Sequence, residues 1–378
     1  MEETTRVIVN LQAISHNIKE IANRIGRRCK LMAVVKADGY GHGAVEVART
    51  ALASGASCLG VSVVKEGQKL REAGFRVPIL VLGLIQPTET RIVVKFDLAQ
   101  TVMEMNTVEA LDAAAYQEKK KATIHVKIDT GMGRIGLKPE DTPSFIQKVL
   151  KCKNIYLEGI SSHLATADEG DRSYTNSQIC IFNDVIKELK KIGINNLITH
   201  IANSDAVLNY PETYYDMVRP GHMIYGLYPD AARKVGVSLQ PAMSFMTKVV
   251  AAKWIPSGTS ISYGRNFAAK KEMKVATLPL GYADGYSRLL TNRSEIIVHG
   301  KRAPAIGNVC MNAFMVDVSN IEGVEPGDDV ILFGEGLPVG EIARNVGTIP
   351  QEIVSIVGKI NQRVYINEMN SIAQMKDH

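Results

Sequence analysis

Residues 31–44 read LMAVVKADGYGHGA, an apolar run that ends on Lys36 and breaks into a segment with glycine at 39, 41 and 43. A short run of Leu, Met, Ala and Val closed by a glycine-rich turn predicts a strand buried on both faces. A helical pattern, AVEVARTALASG, follows it directly. The same unit recurs: apolar runs at 31–35, 58–64, 77–82, 97–102, 122–128, 156–161, 197–201 and 216–218 alternate with patterns such as TVEALDAAAYQEKKK and QICIFNDVIKELKKIG. Each intervening segment is long enough to cross back over a sheet, so the strands are expected to be parallel. Eight such units in about 220 residues predict a closed (β/α)8 TIM-like barrel rather than an open doubly wound sheet.

Upstream, Leu11, Ile14, Ile18, Ile21 and Ile25 recur at spacings of three and four, which predicts an amphipathic helix with Asn10 as its N-cap and Gly26 as its stop. Beyond about residue 238 the texture changes. MTKVVAAKWIPSGTSISYG, MKVATLPLGY, SEIIVHGKRAPAIG, AFMVDVS and DDVILFG are short β-rich runs divided by Gly and Pro, with one helix, PVGEIARNVG, among them. The predicted class is α/β: a barrel domain over 1–238 and a mostly β C-terminal domain over 239–378.

Composition narrows the function. The net charge of +5 is dispersed, and its densest cluster, EKKK at 118–121, falls at the end of a helical pattern, where cations favour the dipole; nucleic acid is not an expected partner. Five scattered cysteines form no metal-ligand spacing, so no metal is expected and a reducing cytoplasm suits the chain. The N-terminus lacks a signal layout and no stretch reaches the length of a membrane helix.

In a parallel barrel, ligands gather where the strands end. Lys36 closes the first run, Lys127, Asp129 and Arg134 follow the fifth, His163 the sixth, His200, Asn203 and Ser204 the seventh, and Arg219 the eighth. Any one of these has an ordinary reading, as a solvated strand end or a packed histidine. Convergence of five strand ends, rich in cations and poor in carboxylates, points instead to an anionic ligand. GMGRIG at 131–136 fits a dinucleotide fingerprint formally, but Pro139 and Pro143 deny it the helix that such a fingerprint must open, and a nicotinamide site is rejected. Asn203, Ser204 and Asp205, opening a short helical segment, and Gly221 could hold a phosphate. A phosphate beside a desolvated lysine suits pyridoxal 5'-phosphate, because such a lysine loses its proton readily and forms a Schiff base.

The segments AVVKADGYGHG, VKIDTGMGRIG, SSHLATAD, HIANSDA, VRPGHMIYG, ISYGRNF, PLGYADGYSR and GNVCMN, in this order and over nearly the whole chain, resemble alanine racemase. The resemblance implies a homodimer with shared active sites and a pyridoxal-phosphate barrel, interconverting L- and D-alanine and supplying D-alanine for peptidoglycan. It makes Lys36 the residue that holds the cofactor and one acid/base. Tyr263, reaching into the partner's barrel, becomes the other on the opposite face. Tyr40 and Ser204, the backbone at Gly221 and His222, and Gln351 fall at phosphate positions, with Asn203 beside them. Arg219 faces the pyridine nitrogen with His163 alongside. Arg134 and the Met311 amide fall at positions for the substrate carboxylate, Tyr282 and Arg288 line the access corridor, and Lys127 matches a position that is often carbamylated.

Some positions depart from the family pattern. Asn308 and Asn312 stand at corridor positions where an arginine and an aspartate are usual, leaving the corridor without those opposite charges, His222 stands where an aliphatic residue is usual, and Gln351 where a tyrosine commonly bonds the phosphate. Loss of that ring is expected to soften the side-chain pocket, so that serine or a larger amino acid is an alternative substrate. A basic amino-acid decarboxylase shares the architecture but puts a carboxylate at the pyridine nitrogen and a cysteine in the partner's contribution, where this chain has Arg219 and Tyr263. A non-enzymatic pyridoxal-phosphate carrier would end with the barrel and have no second base.

Overall fold

The structure, a computed structural model, describes residues 4–367. Its first strand is β1 (Arg6–Asn10). The barrel strands are β2 (Lys30–Val34), β3 (Cys58–Val61), β4 (Ile79–Val81), β5 (Ala99–Val102), β6 (Ala122–Lys127), β7 (Ile155–Ser161), β8 (Ile198–His200) and β9 (Met217–Val218). Each overlaps one of the apolar runs. They form a single parallel sheet in the order β8-β7-β6-β5-β4-β3-β2-β9. The ends of that sheet meet: the Asp216 amide donates to the Thr199 carbonyl at 3.2 Å and the Arg219 amide to the Ala202 carbonyl at 3.0 Å.

Side-chain alternation along β2 aims the lysine. Leu31, Ala33 and Val35 join the large core shared with the helices, whereas Met32 packs with Cys58, Leu80, Ala99 and Met217 in a separate cluster inside the ring. Lys36 shares the parity of Met32 and Val34, so it enters the barrel mouth rather than the helical layer.

The first helix spans Leu11–Ile25 and buries Ile14, Ile18 and Ile21. The Asn10 carboxamide accepts the Ala13 amide at 3.0 Å, a cap worth about 1 kcal/mol, and Gly26 at φ 72° ends the helix.

Of the remaining strands, Ser260–Ile261 and Phe267–Ala268 pair with each other, and the others join β1 in a nine-stranded sheet. Its order is Ala251–Ile255, Met273–Leu278, Phe314–Asp317, Lys301–Ile306, Glu295–Val298, Asp329–Phe333, Met243–Lys248, β1 and Arg363–Ile366. Residue periodicity does not reveal two of its features. Strand β1, which precedes the barrel, pairs antiparallel with Met243–Lys248 and parallel with Arg363–Ile366, so the two sheets are tied at the chain's beginning. A second helix, Pro350–Ile360, follows the expected one at Val339–Val346. Its buried residues include Ile353, Val354 and Val357 at helical spacing, but their β-branched side chains favour strand locally, while Pro350 fits a helical first turn.

That helix packs on the loop after Lys36. A Cβ at Gly41 would lie 2.3 Å from the Val354 carbonyl oxygen, and one at Gly358 would lie 2.1 Å from the Gly41 oxygen; the contact requires glycine on both sides.

Candidate active site

Lys36 is followed by an uncommon backbone. Ala37, Asp38, Gly39, Tyr40 and Gly41 all have positive φ, between 52° and 81°, which makes one left-handed turn. For non-glycine residues this conformation costs roughly 1–2 kcal/mol each, so neighbours must hold it. The Ala37 amide donates to Glu66 Oε1 at 2.6 Å. Asp38 accepts from the Ala44 amide at 3.1 Å, Lys69 Nζ at 3.1 Å and Arg363 Nη1 at 2.6 Å. Burial pushes the Asp38 carboxyl up, but these three donors outweigh it and hold it at about 2.

A carboxyl held below its unfolded value contributes stability that is present above about pH 4 and lost as pH falls toward 2. Asp38→Asn is therefore expected to cost about 2 kcal/mol at pH 7 and much less near pH 2. Denaturant unfolding of wild type and variant at both values checks this; an equal cost at both would refute it.

Lys36, Tyr40, Lys127, Arg134, His163, Asn203, Ser204, Arg219, Gly221 and His222 all line one cavity of about 200 Å³ at the strand ends. Ten of the residues expected from the sequence thus meet. Asp205 is the single carboxylate in that lining, against the cations of Lys36, Lys127, Arg134 and Arg219. Burial and the nearby Arg134 lower the Lys36 amine, opposed by Glu66, so that it gives up its proton more easily than a free lysine. Lys127 is only 8% exposed; burial, Arg219 and Arg134 lower it much further than Asp129 can restore. Burial pushes the Tyr40 hydroxyl up to about 12, which keeps it a neutral donor. A Cβ at Gly221 would stand 2.5 Å from that hydroxyl, so only glycine lets Tyr40 approach. Ser204 Oγ accepts the Gly221 amide at 2.8 Å and the Met223 amide at 3.3 Å, fastening the two sides of the cradle.

Arg219 is buried among acceptors: His200 Nδ1 at 2.7 Å, the Ser162 and Ile201 carbonyls at 2.8 and 3.1 Å, and His163 Nδ1 at 3.3 Å. Burial, with Arg134, lowers it to about 10, which leaves it a cation at neutral pH. Burial and Arg219 hold His163 and His200 well below the ordinary imidazole value, so both are neutral. Because a guanidinium only donates, His200 Nδ1 accepts and Nε2 carries the hydrogen. That hydrogen points to His125 Nδ1 at 2.9 Å, and His125 Nε2 then donates to Glu158 Oε2 at 2.9 Å. A relay thus runs through the barrel from Arg219 to a carboxylate. Sequence reasoning missed His125 and Glu158, although His125 lies two residues before Lys127 and so shares its inward face. Gly159 makes room, since a Cβ there would meet the His125 ring at 2.6 Å.

Tyr263 does not line this cavity. It stands 71% exposed in the turn between two short paired strands, Ser260–Ile261 and Phe267–Ala268, while Tyr282 and Met311, in turns of their own, are 40% and 55% exposed. These three belong to one braced surface: the Tyr282 and Ala283 amides donate to the Cys310 and Met311 carbonyls, both at 3.1 Å. Asn308 Nδ2 donates to the Tyr263 carbonyl at 2.6 Å, and the Asn308 carbonyl accepts Ser262 Oγ–H at 2.7 Å. Asn308, expected along the corridor, is thus 7% exposed and serves as the anchor of the Tyr263 turn, while Asn312 and Arg288 are exposed. Gln351 does not line the cavity either; its Oε1 accepts the Tyr228 hydroxyl at 3.1 Å. The GMGRIG segment opens no helix: Leu137 returns to bridge Ile128, and the Asp129 carboxylate accepts the Gly131 and Gly133 amides.

Known proteins resemble this chain over nearly its whole length. Residues 9–229 match the family description "Alanine racemase, N-terminal domain" and residues 242–365 match "Alanine racemase, C-terminal domain". The chain is 46% identical over 369 residues to the alanine racemase of Desulforamulus reducens, covering 97% of this chain and 100% of that protein. It is 41% identical over 365 residues to that of Methanococcus maripaludis, covering 95% and 98%. Among solved structures, alanine racemase of Clostridium difficile 630 superimposes with a TM-score of 0.93 at 35% identity, covering 97% of each chain. That of Bacillus anthracis, solved with bound L-Ala-P, gives 0.91 at 34%, covering 98% of this chain and 97% of the other.

Proposed function

The chain belongs to the alanine racemase family, enzymes that interconvert L- and D-alanine with pyridoxal 5'-phosphate, and from that premise we propose how its residues divide the work between two copies. The observation that carries the proposal is a cavity that holds Lys36 among cations without Tyr263, together with an exposed surface that presents Tyr263.

The cavity suits the cofactor. Its cations match a phosphate and a substrate carboxylate, the Tyr40 and Ser204 hydroxyls and the backbone at Gly221 and His222 offer donors, and the lack of a side chain at Gly221 lets the Tyr40 hydroxyl reach that backbone. Asn203 caps the helix on which Ser204 sits, accepting the Ala206 amide at 3.0 Å. Lys36 would hold the cofactor, Arg219 would face the pyridine nitrogen as a cation that keeps it unprotonated, and His163 would lie beside it. When bound, pyridoxal phosphate draws electrons from the substrate's α-carbon and so eases loss of its proton.

Lys36 Nζ takes or returns the α-proton on one face. Tyr263 Oη, supplied by a second copy, does so on the other. Two groups on two faces invert the centre, because the proton leaves toward one and arrives from the other. Arg134 binds the substrate carboxylate with the Met311 amide, and Tyr282 narrows the approach. Lys127, whose amine burial, Arg219 and Arg134 hold well below the ordinary lysine value, is the amine in this site most ready to take up carbon dioxide with release of a proton; the resulting carbamate anion would fix Arg134. The assembly is a homodimer with shared sites, the division into 1–238 and 239–378 separates cofactor binding from the second base, and five free thiols favour a cytoplasmic enzyme.

The test of the cofactor assignment is reduction of the loaded enzyme with borohydride, followed by peptide mapping. The pyridoxyl group is expected on Lys36; finding it on another lysine would sink the scheme.

Side-chain preference is a second question. Gln351, outside the cavity lining, reaches it through Tyr228, whose ring packs edge-on against His222; an amide there instead of an aromatic ring supports a softer pocket that admits serine. Gln351→Tyr is expected to raise the preference for L-alanine over L-serine by about tenfold in kcat/KM. Initial rates with both amino acids decide the matter, and an unchanged ratio removes Gln351 from specificity.

A further inference from the structure

Asp205 is the one carboxylate lining a cavity otherwise suited to anions, and its partner is His222, whose Nε2 donates to Asp205 Oδ2 at 3.0 Å. The pair spans the same two segments that Ser204 Oγ fastens, the start of the helix Ser204–Asn209 and the turn at Gly221. Nδ1 of His222 is buried and has no hydrogen-bond partner among the described residues. Around the ring stand Asp205 from that helix and Tyr228, edge-on at 5.4 Å, whose hydroxyl is taken by the neutral Gln351 of Pro350–Ile360. The Tyr40 hydroxyl lies by Gly221, and Lys36, Lys127, Arg134, His163 and Arg219 share the cavity wall.

With the imidazole neutral, the pair carries one negative charge beside a phosphate site, and Nδ1 is a lone pair that needs no donor. With the imidazole protonated, the pair is neutral overall, and Nδ1 becomes a buried N–H that gains from a nearby anion. A dianion therefore selects the protonated form, and by linkage its affinity depends on that proton. We propose that His222 and Asp205 act as a proton-coupled counter-charge for the cofactor phosphate, so that phosphate-group binding takes up a proton and weakens as the imidazole loses it. This rests on the reading of Ser204, Gly221 and Tyr40 as the phosphate cradle.

Sulfate keeps a charge of two over the useful pH range and isolates the effect from the titration of phosphate itself. Calorimetric titration of sulfate into the full-length chain freed of cofactor, at pH 6 and pH 8, is the test, with pyridoxal phosphate added afterwards to displace it. Loss of charge at Lys36 also weakens anion binding as pH rises, so the comparison is with variants. The ratio of dissociation constants, pH 8 over pH 6, is expected to be about tenfold larger in wild type than in His222→Ile. In Asp205→Asn, sulfate is expected to bind several-fold more tightly than in wild type at pH 8, a gain that a merely damaged site would not give. Superimposable profiles for wild type and His222→Ile overturn the inference and leave the cradle standing. Sulfate that does not bind wild type, or that binds and is not displaced by the cofactor, also overturns the inference; if Ser204→Ala leaves cofactor affinity intact as well, the cradle falls with it.

Discussion

Lys36→Ala is expected to lower racemisation by about 10⁴-fold or more in both directions, because it removes a proton-transfer group together with the cofactor's covalent anchor. The site has no replacement. Lys127 is the other amine in the cavity lining, but its neighbours are Arg219 and Arg134 rather than the left-handed turn that carries Lys36. The turn itself does not need the amine: Asp38 and Glu66 hold it through backbone amides, Lys69 and Arg363. The variant should therefore fold and still bind pyridoxal phosphate through the cradle, without the absorbance of the lysine-linked cofactor. Turnover within tenfold of wild type would exclude Lys36 as an acid/base.

Tyr263→Phe carries the second large effect, about 10²- to 10⁴-fold on kcat with KM little changed, since the hydroxyl acts only as the proton moves. Its signature is directional. With one of two groups gone, Lys36 Nζ can still exchange the α-proton of one enantiomer with solvent and return it to the same face. In heavy water the variant is thus expected to label one enantiomer much faster than it forms the other, whereas wild type labels as it racemises. The ring remains to pack, and the turn stays braced by Asn308 through the Tyr263 carbonyl and Ser262. Equal loss of exchange and inversion for both enantiomers would mean that Tyr263 supports the site without moving a proton.

The barrel was legible because its strands are buried on both faces and its crossovers are amphipathic, two patterns that residue type alone records. The position of Lys36 was legible for the same reason: strand parity sends it inward. Features that depend on a partner distant in sequence were not. Strand β1, RVIVN, is a lone short apolar run with no role assigned by its neighbours in sequence until Met243–Lys248 and Arg363–Ile366 flank it. The helix Pro350–Ile360 hides in Ile and Val, whose local preference for strand is overridden by packing on Gly41. His125 and Glu158 look like strand residues until His200 and Arg219, many residues later, complete the relay. Asn308 looked like a corridor side chain missing its charge, yet its amide is spent on the Tyr263 turn. Gln351 was expected at the phosphate; its Oε1 accepts the Tyr228 hydroxyl, a partner 123 residues away that local sequence does not announce.

A mixture of two inactive chains tests the shared site most directly. Lys36→Ala and Tyr263→Phe proteins, each nearly inert, are unfolded together, refolded and assayed with L-alanine. A hybrid dimer has one site lacking both groups and one site built from the intact Lys36 of one chain and the intact Tyr263 of the other. Random pairing makes half the dimers hybrids with half their sites whole, so activity should return to about a quarter of wild type refolded in parallel. A mixture no more active than its components would contradict the account, because it would mean that Lys36 and Tyr263 do not meet across two copies.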